Sequence, residues 1–140
     1  MIELTRDEID RFLDEQTVGR IGCHDDEGTY VVPLIYAREG NALFVLTTEG
    51  QKIRVMRKNP AVCFEVDEYD AATGSWRSAI LQGLYEELDD REKSEALSIL
   101  SKRHGGRRSP SDGSQAMSRG IVAFRIRIEA ATGRAVCRSA

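Results

Sequence analysis

From Val122 to Glu129 the chain alternates, with Val122, Phe124, Ile126 and Ile128 on one side of a two-residue period and Ala123, Arg125, Arg127 and Glu129 on the other. Only an extended strand sends successive side chains to opposite faces, so this segment is a strand with one face buried and one in water. Val18–His24 and Thr29–Ala37 are rich in Val, Ile and Tyr, and Asp25-Asp26-Glu27-Gly28 between them supplies turn formers, which predicts a hairpin. A second turn, Arg38-Glu39-Gly40-Asn41, leads to a third strand over Ala42–Thr47 and so to a three-stranded meander. Strands are also expected over Ala61–Asp67 and over Trp76–Leu88, the latter with a bend at Gly83. Ala130–Arg134 is expected to turn the chain into a last edge strand, Ala135–Cys137.

The helices are few and carry their own start signals. Thr5-Arg6-Asp7-Glu8 and Asp89-Asp90-Arg91-Glu92 both have the form of a capping box, in which an N-cap oxygen and a carboxylate three residues later satisfy each other's backbone amides. The first predicts a helix over Arg6–Glu15 with Ile9, Phe12 and Leu13 as its apolar stripe; the second predicts one with Ala96, Leu97 and Leu100 inward and an exit at Gly105-Gly106. A short basic helix is expected over Gln51–Asn59, stopped by Pro60. Six or more strands joined mostly by short turns predict a mainly β fold, an antiparallel sheet closing into a small or partly open barrel rather than a doubly wound parallel sheet. Residues 1–140 read as a single domain, with the Ser-, Gly- and Arg-rich stretch Arg107–Ser118 expected to be a mobile excursion.

With 41% hydrophobic and 31% charged residues, the chain has the composition of a soluble globular protein, which excludes collagen-like, disordered and disulfide-scaffold classes. A formal net charge of -3 gives no general pull on nucleic acid or on an anionic membrane. No signal peptide or membrane span is read, and the widely spaced Cys23, Cys63 and Cys137 fit reduced thiols in a cytoplasmic protein. His24 and His104 have no ligand-spaced partners, so no metal site is expected.

The chemistry concentrates in Phe44-Val45-Leu46-Thr47-Thr48-Glu49-Gly50-Gln51-Lys52, a strand entering a hydroxyl- and glycine-containing turn that opens the basic helix. Helix-start amides, the Thr47 and Thr48 hydroxyls and the first-turn Lys52 are the parts a phosphate requires. The same residues also fit a capped helix with a solvated basic face, and Arg54, Arg57 and Lys58 read as such a face. Pro33 cannot donate to a ladder, so it is expected at an edge, at a bulge, or where a ligand replaces a neighbouring strand.

Four features resemble the flavin-binding split barrels related to pyridoxamine 5'-phosphate oxidase, and among them the small nitroimidazole-resistance proteins. These are Gly19-Arg20-Ile21-Gly22; Tyr30-Val31-Val32-Pro33-Leu34; Gly50-Gln51-Lys52 followed by Asn59-Pro60 and the strand to Asp67; and Trp76-Arg77-Ser78 with Gly83. They span about half the chain, from Gly19 to Leu88. The resemblance implies a split barrel in a homodimer that holds two FMN molecules at its interface. It places the FMN phosphate on Lys52, Thr47 and Thr48, with Gln51 beside them, and the ring against the backbone around Val32 and Pro33. Trp76 and Ser78 match positions near the ring or ribityl chain, some of them contributed by the partner; Trp76 also fits a core or dimer contact.

The implied activity is reduction of a small-molecule substrate through bound flavin, with NAD(P)H or another reductant as electron source; no general acid or base is singled out. A non-catalytic module that binds or senses a flavin, haem or deazaflavin is the alternative on the same barrel. Where nitroimidazole-resistance relatives often have His, this chain has Val45, and where pyridoxamine-phosphate oxidases have Arg before the Lys it has Gln51, so neither specific activity is implied.

Overall fold

The computed structural model describes residues 1–105 and 120–138, and the Arg107–Ser118 stretch lies outside them. In chain order the elements are β1 (Ile2–Glu3), α1 (Arg6–Glu15), β2 (Val18–Asp25), β3 (Gly28–Ile35), β4 (Ala37–Glu39), β5 (Ala42–Thr48), α2 (Gln51–Lys58), β6 (Ala61–Asp70), β7 (Ser75–Glu87), α3 (Asp90–His104) and β8 (Ile121–Val136). The strands form one antiparallel sheet in the order β3-β2-β6-β7-β8-β5-β4, with β1 added on β8.

That order dictates a barrel. β3 and β4 lie at opposite ends of the sheet, yet Tyr36 alone separates them in the chain, so the sheet has to curl until its two edges meet at Tyr36. The edges meet without a ladder between them, and the barrel is split there. Tyr36 is fully buried; its hydroxyl donates to the Leu13 carbonyl at 2.5 Å, and its ring packs edge-on against Phe64 at 5.3 Å. The expected meander is corrected accordingly: β5 pairs with β4 and β8, and not with β3.

The inner face is filled by Ile21, Leu43, Val45, Phe64, Val66, Leu81, Phe124 and Ile126, to which α1 adds Ile9, Phe12 and Leu13 and α2 adds Ile53, Val55 and Met56. Gly19 makes room for Phe64, since a Cβ there would stand 2.1 Å from the ring. Outside the barrel, α3 sets Ala96 on Leu88 and Ala123, next to Phe44 and Leu46.

β8 departs from expectation. It runs unbroken through Ala130–Arg134, where a turn was predicted, because a bulge opposite Gln82/Gly83 absorbs one residue. The bulge exchanges the faces of the strand: Phe124, Ile126 and Ile128 are buried before it, Ala135 after it. At Gly83 itself, a Cβ would lie 2.6 Å from the Arg127 carbonyl oxygen, which leaves glycine as the residue that fits.

Candidate functional site

β5 delivers the chain from the barrel wall into α2, whose first turn is left open. α1 and α3 start with complete capping boxes, whereas α2 starts at Gly50 with no side-chain cap and no acidic residue in its first turn. The orphan N–H groups and positive end of the helix macrodipole point to the end of β5. The Gly50 backbone is extended, and a Cβ there would meet nothing nearer than the Thr48 carbonyl oxygen at 4.0 Å. Neither conformation nor internal crowding therefore requires glycine at this position.

Lys52 is half-buried beside this turn, within electrostatic reach of the buried Cys23 thiol. Burial pushes its ammonium below the usual lysine range, while burial, and then Asp25, push the Cys23 thiol up. Among the described residues no carboxylate pairs with Lys52. Thr47 is half-buried and Thr48 exposed, Gln51 is exposed, and none of the three side chains makes a hydrogen bond among the described residues. An unpaired half-buried cation, open helix amides and unengaged hydroxyls make a cradle for an anion.

The neighbouring basic residues divide. Arg57 is exposed but paired: its guanidinium forks onto Glu49 at 2.8 and 2.9 Å and onto Glu87 at 2.8 and 2.9 Å. Arg54 and Lys58 stay exposed.

The other sequence-predicted site residues are distributed over β3 and β7. β3 is an edge strand, which accommodates Pro33; Pro33 sits on its outer face opposite Arg20, while Val32 faces inward opposite Ile21, two residue pairs along from Cys23 and Tyr30. Trp76 and Ser78 lie on the outer face of β7, opposite Tyr69 and Asp67. Val62 pairs with Gly83, and Trp76 is seven residues away along β7, roughly 23 Å of strand. The outer face that carries Trp76 and Ser78 also exposes Val18, Val31, Ile35 and Ile80, with Arg20 paired to Glu65 at 3.2 Å and to Asp67 at 3.0 Å in its midst.

Residues 5–135 match the family model for pyridoxamine 5'-phosphate oxidase. The chain belongs to the pyridoxamine 5'-phosphate oxidase family. A FAD-binding protein of Mesorhizobium loti superposes with a TM-score of 0.78 at 34% identity, over 97% of this chain and 98% of that one. An uncharacterized protein of Rhizobium meliloti strain 1021 is 32% identical over 96% of this chain and 94% of its own. A Bacteroides thetaiotaomicron protein, provisionally assigned to 5-nitroimidazole antibiotic resistance, superposes with a TM-score of 0.77 at 24% identity, over 96% of this chain and 86% of that one.

In this member of the pyridoxamine 5'-phosphate oxidase family, sequence reasoning missed a groove of about 360 Å³ on the outer sheet face, lined by Gly22, His24, Thr29, Cys63, Gln82 and Glu129 among others. Its floor is the cross-strand pair of Gly22 and Cys63, small residues whose alignment only the register reveals. Asn59 just beyond α2 donates to the His24 carbonyl at 3.0 Å, which ties this rim to the end of the helix. No helix of the described residues is long and apolar enough to cross a membrane.

Proposed function

We propose that the chain binds a flavin nucleotide, FMN, by its phosphate at the start of α2, and that it is an oxidoreductase acting on a small-molecule substrate. The observation that carries this reading is the uncapped helix start with Lys52 half-buried and unpaired beside it. Lys52 supplies the full charge, Thr47 and Thr48 donate hydroxyls, and Gln51 contributes its backbone and amide at the same turn. Val32 and Pro33 line the approach to the ring from β3. A bound flavin supplies electron or hydride transfer, with NAD(P)H or another reductant as its source. The residues named here bind and orient.

Two copies of the chain complete each site in this proposal. Supporting it, Trp76 and Ser78 lie on the outer face of β7, Trp76 roughly 23 Å of strand from Gly83, whereas Lys52 stands near the buried Cys23. The exposed Val18, Val31, Ile35 and Ile80 give such a partner an apolar face to cover. Val45 is fully buried in the barrel core and offers no imidazole, which speaks against nitroimidazole chemistry of the kind that uses a His there.

FAD is the second reading, favoured by the FAD bound by the Mesorhizobium loti protein at 34% identity. FMN and FAD share the ribityl phosphate, so the cradle serves either. The visible spectrum of freshly purified protein, followed by titration with FMN, FAD and riboflavin, is the test. Lys52→Ala is expected to weaken FMN binding by about 1.5–3 kcal/mol, the range of a charge-assisted hydrogen bond, and to leave riboflavin unaffected. A protein that binds FMN equally well with and without Lys52 has its phosphate elsewhere.

A further inference from the structure

We propose that Arg57 is a positioning residue for the flavin phosphate, drawing the Glu49 carboxylate away from the start of α2 and fixing the turn that presents Lys52; this rests on the phosphate reading given above. Glu49 directly precedes Gly50, the N-cap. An unrestrained carboxylate there is drawn to the positive end of the helix, where it occupies the amides and repels a phosphate. Arg57, in the last turn of α2, prevents this by a fork onto both Glu49 oxygens, Nη1–Oε2 at 2.8 Å and Nη2–Oε1 at 2.9 Å.

The same guanidinium anchors to the end of β7. Its Nε lies 2.8 Å from Glu87 Oε1 and its Nη2 2.9 Å from Glu87 Oε2, and the Tyr85 hydroxyl donates to Glu87 Oε1 at 2.7 Å. Arg57 holds the Glu87 carboxyl below the usual carboxylate range, so the anchor stays charged. On the other side, the Glu49 amide donates to the Gly120 carbonyl at 2.9 Å. The β5–α2 turn is thus held by β7 through one side chain and by the residue before β8 through its backbone. Lysine cannot reproduce this, because it lacks the planar fork. All three charged side chains are substantially exposed, and exposed pairs contribute little to folding, so the effect belongs to binding rather than to stability.

The test measures FMN and riboflavin dissociation constants, by flavin fluorescence, for the wild type, Arg57→Ala, Glu49→Gln and the double variant. Arg57→Ala is expected to weaken FMN roughly tenfold and leave riboflavin unchanged, while Glu49→Gln alone changes little and, in the Arg57→Ala background, restores FMN to within about threefold of wild type. Arg57→Lys, which keeps the charge without the fork, is expected to fall between and serves if the alanine variant unfolds. Equal losses for FMN and riboflavin in either Arg57 variant, or no recovery in the double variant, overturn the proposal. A wild type that binds FMN no more tightly than riboflavin overturns the phosphate site, and this inference with it.

Discussion

At the starts of α1 and α3 the N-cap side chain and the carboxylate three residues on both close on the helix. Thr5 accepts from the Glu8 amide at 3.2 Å and the Glu8 carboxylate accepts from the Thr5 amide at 2.8 Å; Asp89 and Glu92 repeat the exchange at 2.9 and 3.1 Å. α2 has none of this, and its first turn carries Lys52 where the other two carry acids. The difference is not one of stability left unattended. α2 is held from below by Ile53, Val55 and Met56 in the barrel core, so its N-terminus is spared from structural duty. Two helix ends are closed by reciprocal pairs and the third is open, and the open one is where the proposed phosphate would sit.

Closing the open end is the strongest way to break the contrast. Gly50→Asp places an N-cap carboxylate at α2, and the extended backbone and empty surroundings of Gly50 admit the side chain. The variant is expected to melt at the same or a higher temperature than wild type without ligand. Set against a dianionic phosphate a few ångströms away, the new carboxylate is expected to weaken FMN roughly a hundredfold. Unchanged FMN affinity in a well-folded Gly50→Asp protein removes the phosphate from this helix.

Opening a closed end is the reciprocal experiment. Thr5→Ala and Asp89→Ala each remove an N-cap acceptor, and each is expected to cost about 1 kcal/mol of folding stability, read as a lower midpoint in urea with an unchanged slope. FMN affinity is expected to stay at the wild-type value in both. A drop in flavin affinity from either would mean that the capped helices, too, serve the site.

The capped helices were legible because their signal is local: four residues specify each box, and α1 and α3 begin where Thr5-x-x-Glu8 and Asp89-x-x-Glu92 place them. The start of α2 after Gly50 was legible for the same reason. What the sequence hides is whatever depends on a distant partner. Arg57 reads as one of several surface cations until the fold brings Glu87 to it from 30 positions away. The full length of β8 is hidden because the bulge at its centre inverts the alternation, which then looks like a turn between two strands. Trp76 and Ser78 were placed by resemblance alone, and only the register shows which residues they stand opposite.

The smallest effect tests the charge of Lys52 itself. Burial lowers its folded pKa beneath the unfolded value, so the buried ammonium costs stability below the folded pKa, and that cost disappears as pH rises through it. A bound phosphate needs the charged form, which gives the opposite sign for affinity: full below the depressed pKa and lost as pH climbs through it, in a window that opens beneath the ordinary lysine value of 10.5. Cys23, its titratable neighbour, is pushed the other way by burial and stays a thiol over more of that range. The ratio of riboflavin to FMN dissociation constants removes the titration of the ring, and it is expected to fall in the wild type as pH climbs from about 7 to about 10. Lys52→Arg keeps its charge throughout, so its ratio is expected to remain flat. Parallel profiles for the two proteins would show that the side chain at position 52 does not meet the phosphate as a charge, leaving the helix amides to hold it alone.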